Sequence, residues 1–351
     1  MNVVIENDKA IVNHLELKEL VAKVLTSVDV PKEDAKIVAD VMVSADLKGI
    51  ESHGIRWLDV YLQRIKAGSV KPVTDLKVVQ EKAGLLLLDA QSGLGQVAMA
   101  KGIQMGIEKA KQSGVCVVAV RNSNHFGATC YYTELATKSN MAAMVMTNGT
   151  PLMAPWGGVT PCIGTNPISF GFPSDAAPVI LDMATTATAR GKVFVAAQHG
   201  RQLEPGLAIN KDGEPTTDPK EALEGVLLPF GGPKGYGMSL AIDIMAGILT
   251  SSNHGKNIKS LYGDLEAVQN IGHFALIVNI EDFMAVDDFM AGMQVSRKEL
   301  KSSKLAKGFS QIFLPGEIEA NTMKQQLQDG VILPVASWNM LQDWAKKLDI
   351  Q

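Results

Sequence analysis

Strand-like apolar runs that end in short polar clusters recur along this chain, and the stretch from Val120 to Phe170 is built from them. Val115 to Val120 is a β-branched run of the length of a buried strand. Arg121, Asn122, Ser123, Asn124 and His125 follow at once, and Gly127 closes the cluster. A second run, Met141 to Met146, ends in Thr147-Asn148-Gly149-Thr150, and Gly164-Thr165-Asn166-Pro167 repeats the design. Polar tips gathered on one side of a sheet are a common layout for a site carried by a rigid scaffold. A His at a strand end is also a common structural residue, satisfied by its neighbours. Position alone leaves both readings of His125 open.

Helical spacing dominates the N-terminal region. Leu15 to Leu25 repeats apolar residues three and four apart, and a second amphipathic helix restarts at Pro31 with Glu33 and Asp34 near its start. The pattern breaks at Glu51-Ser-His-Gly-Ile-Arg56 and resumes from Trp57 to Lys66, with Gly68 as the stop. Leu76–Gln80 and Leu85–Asp89 read as strands, and a helix is expected to run on to about Ser113. Gly93, Gly95 and Ala98 fit the dinucleotide pattern GxGxxG/A loosely. The next strand, however, ends in Arg121 where that fingerprint needs an acid, so these residues are read as serving close packing or a helix start.

Beyond the central stretch, Pro178 to Ala184 reads as another short buried strand, with Asp182, Thr185 and Thr186 at its tip. Gly200 to Pro219 is an irregular surface excursion, and Met238 to Leu249 a strongly apolar helix. One more strand begins at His273-Phe274, a turn carries Gly316 and Glu317, and Ser337 to Leu348 closes the chain as an amphipathic helix.

Composition narrows the picture. With 351 residues, 46% of them hydrophobic, the chain can bury a sizeable core and divide into two domains. A net charge of −4 argues against non-specific nucleic-acid binding. No apolar run is long enough to span a membrane, and the N-terminus lacks a signal-peptide layout. Three cysteines (116, 130 and 162) without a CxxC pair suit a reducing compartment and offer no metal site. The expectation is a cytoplasmic protein with no membrane or nucleic-acid partner.

Two further clusters invite chemistry. Ser52-His53-Gly54-Ile55-Arg56 reads either as a helix cap with solvated side chains or as an anion site where Arg56 grips a carboxylate. Tyr61, a little over one turn past Arg56, would add a hydroxyl to that pocket. Lys234, among Gly231, Gly232, Gly235 and Gly237, is either a solvated lysine on a glycine-rich turn or prepared for close approach of an anion.

Ser52-His53-Gly54, Asn122 to Gly127, Gly164 to Ile168, Leu181 to Thr185, Gly232 to Gly237 and Leu314 to Glu317 together resemble the motifs of the type 2 malate/L-lactate dehydrogenases. They occur in family order across nearly the whole chain. Related members act as ureidoglycolate or sulfolactate dehydrogenases, diketogulonate reductases or cyclic imino-acid reductases. The resemblance implies an α/β (α+β) fold that is not Rossmann: a mixed sheet with flanking helices plus a helical domain formed largely by the N-terminal region. The division expected is residues 1–75 with 300–351 for substrate and dimerisation, and 76–299 for the cofactor.

It further implies an NAD- or NADP-dependent oxidoreductase, NAD favoured, working as a homodimer on a small molecule. Hydride would pass between nicotinamide and C2 of a 2-hydroxy or 2-oxo acid of the malate, lactate or ureidoglycolate type. Imine or diketogulonate reduction is the alternative, and a non-catalytic protein that kept the pocket a third reading. By the resemblance, His53 and His125 carry acid/base roles, while Arg56 and Tyr61 face the substrate, with Ser52, Thr165 and Asn166 joining that set. Asp182, Met183, Ala184, Lys234, His273, Phe274, Gly316 and Glu317 would line the dinucleotide, with Asn148. Two positions depart from the family pattern: Cys130 stands where a glycine is expected, and Leu207 where a tryptophan is.

Overall fold

The computed structural model describes residues 3–350. The chain opens with the hairpin β1 (Val4–Glu6) and β2 (Lys9–Val12), then α1 (His14–Thr26) and α2 (Lys32–Leu47). Two 3-10 turns, Glu51–His53 and Ile55–Trp57, lead into α3 (Leu58–Lys66). Next come β3 (Lys77–Lys82), β4 (Leu85–Asp89), α4 (Gly95–Ser113), β5 (Val115–Ser123), α5 (Cys130–Thr137) and β6 (Met141–Thr147). Short strands β7 (Pro151–Met153) and β8 (Ile163–Gly164) precede β9 (Ile168–Phe172) and β10 (Val179–Met183). Then follow α6 (Arg190–Gln198), β11 (Ala208–Ile209), β12 (Pro215–Thr216), α7 (Pro219–Glu224), β13 (Val226–Leu227) and α8 (Pro233–Ile242). A π-helical turn, Asp243–Ile248, extends α8, and β14 (Ile271–Asn279), α9 (Val286–Ser302), α10 (Glu317–Asp329), β15 (Val331–Pro334) and α11 (Val335–Lys347) complete the chain.

The main sheet runs β10-β9-β6-β14-β5-β4-β3 and is mixed, as expected: only β4 and β5 are parallel, joined through the crossover helix α4. α4 and α5 pack on it through Met99, Ile103, Tyr132 and Ala136, against Val118, Val120, Val145 and Ile277. A second buried cluster joins α1, α2, α3 and α11 to β2 and β15, with Leu17, Val21, Leu58, Leu62, Val331 and Leu341 fully enclosed. Asn13 caps α1 by accepting from the amides of Leu15 and Glu16. The terminal hairpin and its pairing with β15 left no mark on the helical pattern, because three- and four-residue strands are too short to show a period.

Several expectations are corrected. β5 continues through Arg121, Asn122 and Ser123, so these residues belong to a strand and not to a loop tip. The Arg121 Nε and Asn122 Nδ2 atoms both donate to Asp89 Oδ2 at 2.8 Å, which ties β5 to β4. β10 is an edge strand with Leu181 at the surface rather than a buried one. The excursion after Gly200 is partly ordered, its β11 and β12 joining β13, β7 and β8 in a five-stranded sheet. The helix from Met238 to Leu249 is apolar as expected; it buries Ile242 and Ala246 and turns a second apolar face outward, with Ile244 45%, Ile248 53% and Leu249 64% exposed.

The glycines of the loose dinucleotide pattern serve close packing. A Cβ on Gly95 would stand 2.0 Å from the carbonyl oxygen of Asn124, so only glycine lets the first turn of α4 press against the Asn124-His125 backbone. Gly95→Ala should therefore cost about 1–3 kcal/mol or more in urea unfolding. Gly292→Ala, mid-helix on α9 with nothing within 4 Å, should instead stabilise by up to about 1 kcal/mol. Equal effects of the two substitutions would refute the packing role given to Gly95.

Candidate active site

The turn Glu51–Trp57 is draped over the carboxyl group of Asp46, near the end of α2. Asp46 is buried, and its Oδ2 accepts from the Ile55 amide at 2.8 Å. A Cβ on Gly54 would stand 1.7 Å from Asp46 Oδ1, so the approach depends on glycine. Burial pushes the Asp46 carboxyl up to about 8, with the nearby Glu51 adding to the rise against the lowering effect of the Ile55 amide. The Trp57 indole donates to the Ser52 carbonyl at 2.6 Å and closes the turn. Ser52 does not cap a helix; its hydroxyl lies 2.8 Å from His53 Nδ1 and orients that ring.

The second half of the site comes from the end of β5. Asn124 donates to the carbonyls of Ser92 and Gly93, at 3.1 and 2.9 Å, and the Tyr132 hydroxyl donates to the Phe126 carbonyl. Phe126 stacks on Tyr132 and His273, with ring centroids 4.6 and 4.5 Å away. His125 between these anchors meets the first half: its ring stacks with His53 at 5.8 Å and 18°. The Tyr61 hydroxyl, from α3, lies 2.6 Å from His125 Nδ1. Gln96, fully buried beside that hydroxyl, has no other partner for its amide among the described residues.

Electrostatics keeps both imidazoles neutral at pH 7. Burial lowers His125 to about 3, helped by His53 and His273. Burial also lowers His53 to about 4, helped by the Arg56 guanidinium. Burial raises the Tyr61 phenol, so it keeps its proton. Arg56 is exposed, lies over the Trp57 ring at 5.7 Å and makes no ion pair among the described residues.

Ser52, His53, Arg56 and His125 open onto a cleft of about 2040 Å³, larger than the roughly 300–1,000 Å³ of an ordinary small-molecule pocket. Asn148, Thr165, Asp182, Met183, Ala184 and Gly316 also reach its wall. Gly316 sits at φ +85°, and a Cβ there would stand 3.0 Å from the Ile180 carbonyl, so glycine keeps this wall close to β10. Asp182 accepts from the Cys130 amide at 2.7 Å. The Cys130 thiol lies in the wall too, 4% exposed, and burial with the neighbouring Asp182 pushes it well above its usual value. The space, the mix of carboxyl and backbone groups, and the glycine cradle fit a dinucleotide.

The remaining expected residues lie elsewhere. Tyr61 is 4% exposed and stands behind His125, not in the cavity wall. Asn166 is enclosed, accepting from the Gly149 amide and donating to the Ser239 carbonyl. Although Asn148 reaches the wall, its amide is engaged by Asp243, Asn253 and Gly272. His273 lies within the sheet between Thr147 and Ser123, its nitrogens 2.7 and 2.8 Å from their hydroxyls, and Phe274 is buried beside it. Lys234 is exposed on α8, outside the cleft. Glu317 bonds Lys301 and the Leu314 amide, which occupies its carboxylate in holding the turn.

Sequence reasoning missed Trp57, Tyr262 and the pair Lys48–Glu134 (2.7 Å), all in the cleft wall. Trp57 follows the Ser-His-Gly-Ile-Arg run directly, which was the one available signal for it.

A family model described as malate/L-lactate dehydrogenase matches residues 12–342. An L-sulfolactate dehydrogenase of Methanocaldococcus jannaschii is 42% identical over 333 residues, 95% of this chain and 96% of that protein. The solved sulfolactate dehydrogenase from that organism superposes with a TM-score of 0.92 at 41% identity, covering 97% of this chain and 98% of its own. Some relatives carry a cofactor in their names. An Escherichia coli ureidoglycolate dehydrogenase (NAD(+)) is 32% identical over 90% of each chain. A (2R)-3-sulfolactate dehydrogenase (NADP(+)) of Chromohalobacter salexigens is 34% identical over 74% of this chain and 78% of its own.

Asp46 makes the stability of this region depend on pH. Its folded carboxyl stays protonated up to about 8 while the unfolded one ionises near 3.8, so stability falls as pH rises through that window. The lowered imidazoles act in the opposite sense, losing stability as pH falls below about 6.5. Asp46→Asn removes only the first effect. Its melting temperature relative to the parent should rise between pH 5 and pH 9, and a constant offset would contradict the burial of an ionisable acid there.

Proposed function

The chain belongs to the malate/L-lactate dehydrogenase family and is an NAD(P)-dependent 2-hydroxyacid dehydrogenase, and we propose that His125, His53 and Arg56 carry its reaction. The observation that carries this reading is the stacked imidazole pair, backed by a phenol and flanked by an exposed guanidinium. Arg56 holds the substrate carboxylate with charge-assisted bonds. His125 Nδ1 donates to the Tyr61 oxygen, which leaves Nε2 as a lone pair for the substrate hydroxyl. Tyr61 is thus a positioning residue: it fixes the tautomer and keeps the ring aimed when Nε2 takes the proton.

A neutral imidazole is the correct starting form for oxidation, because it must accept a proton. The arriving carboxylate also brings negative charge toward both rings, which raises their affinity for that proton. His53, held by Ser52, sits across the stack and keeps the His125 ring in place. Asp182, Met183, Ala184 and Gly316 would hold the dinucleotide, which supplies the hydride acceptor when bound. NAD is the proposed carrier and NADP the alternative.

Substrate identity is proposed from the names of the most similar relatives: a short 2-hydroxy acid with a second acid group, such as sulfolactate or malate. The outward apolar residues of α8 and its π-helical extension support pairing with a second copy, so a homodimer is proposed. Three free cysteines support a cytoplasmic setting.

Steady-state rates with sulfolactate, malate, lactate, ureidoglycolate and a cyclic imino acid, each under NAD and NADP, test the substrate reading. The diacids should give the highest kcat/KM. His125→Asn should lower kcat by about 10²–10⁴-fold with the fold and cofactor affinity retained. Arg56→Ala should raise KM for the acid roughly 10- to 100-fold, the worth of one or two bonds to a charged group. Near-parental turnover in folded His125→Asn would remove that histidine from the mechanism.

A further inference from the structure

Among the described residues, the largest fully buried side chain is a cation that forms no salt bridge. Arg64, on α3 one turn beyond Tyr61, has 0% exposure. Its guanidinium donates to three backbone carbonyls of one loop: Leu261 at 3.3 Å, Asp264 at 2.9 Å and Ala267 at 2.6 Å. Ser69, just after the helix, donates to a fourth, Leu265, at 2.5 Å. These residues lie about 200 positions apart in the chain, so α3 and the loop 258–270 are joined only through the fold.

That loop contributes Leu261, Tyr262 and Gln269 to the cleft wall. The Tyr262 ring stacks on Trp57 at 6.0 Å and 25°, and Trp57 in turn lies 6.0 Å from the His125 ring and carries Arg56 over its face. Leu261 is buried while Tyr262 is half exposed, so the loop presents an apolar and aromatic wall beside the imidazole pair. Burying a guanidinium is unfavourable unless its donors are satisfied, and here only Nη1 and Nη2 are bonded, Nε having no partner among the described residues. Each bonded carbonyl therefore resists being pulled away, and the loop is held at three points by one rigid fork.

We propose that Arg64 is a positioning residue for substrate selection: by gripping the carbonyls of loop 258–270 it fixes Leu261 and Tyr262 against Trp57, and this wall reads the part of the acid beyond C2. The inference rests on the reading of His53, His125 and Arg56 as the reaction centre. A wall at that place touches the substrate's far end and leaves the proton-carrying atoms unchanged. Loosening it therefore weakens binding of the acid and blurs the choice between acids while the chemical step survives.

Arg64→Lys and Arg64→Met, with Ser69→Ala as a milder change, test this on the full-length protein. Initial rates are measured with oxaloacetate, sulfopyruvate and pyruvate under NADH and NADPH, together with hydrogen exchange of the ligand-free protein. For the acid that the parent reduces best, KM should rise tenfold or more in the Arg64 variants. In those variants kcat should stay within threefold and the NADH or NADPH dissociation constant within twofold. Preference among the three acids should narrow, and exchange protection should fall at 258–270 and not in β14. Ser69→Ala should move KM in the same direction by a smaller factor, which keeps the test open if Arg64→Met fails to fold.

Unchanged KM in both Arg64→Lys and Ser69→Ala overturns the proposal, as does a lowered melting temperature with KM and preference intact. A full-strength His125→Asn enzyme would instead defeat the underlying reading, whatever the exchange data show for the loop.

Discussion

The contact between the Tyr61 hydroxyl and His125 Nδ1 is where two separately built parts of the molecule meet, and the site exists only if it forms. Tyr61 belongs to the helical cluster of α1, α2, α3 and α11, whereas His125 lies just past the end of β5, a central strand of the main sheet. Neither part alone makes a pocket. Three close approaches set the geometry: Gly54 over Asp46 within the helical part, Gly95 under Asn124 within the sheet part, and Gly127 against Val41 of α2 between the two. Each has too little room for a Cβ, so the site geometry is set by backbone packing before any functional side chain is placed.

Two hydrogen-bond economies then share the work. One enforces neutrality: the Tyr61 phenol and the Gln96 amide are enclosed behind imidazoles that only partly face the cleft, with no formal charge among them, which keeps the histidines as bases. The other supplies charge only at the rim, through Arg56, where an acid would arrive. A low-dielectric pair next to one exposed cation lets binding of an anion change protonation at the ring. Binding and chemistry are thereby linked through a few side chains on the turn from Glu51 to Trp57 and on α3.

Much of this was legible in the chain. The polar tip at His125 and the Ser-His-Gly-Ile-Arg break stood out because polar residues interrupt strong apolar periods, and both reach the cleft. The tips were less informative about their own amides. Asn148 and Asn166 bond neighbouring loops and strands, and nothing in a sequence separates an amide that ties tips together from one that awaits a ligand. His273 lies deep in the sheet because β14 is flanked on both sides, a fact fixed by strand order and not by the strand's own residues. The Arg64 clamp left no local signal at all, since its acceptors are backbone carbonyls some 200 residues away. The sequence left Lys234 open between a solvated lysine and a contact to the dinucleotide, and its exposed place outside the cleft emerged only from the packing.

The direct test of the account is the protonation of His125 itself, followed by nitrogen NMR on protein labelled at histidine and assigned with His125→Asn. In the free protein the ring should stay neutral from pH 7 down to about 5, with the proton on Nδ1 facing Tyr61, and saturating oxalate should raise its titration toward neutrality. A ring already charged at pH 7, or one indifferent to the bound acid, would contradict the claim that His125 exchanges the substrate's proton.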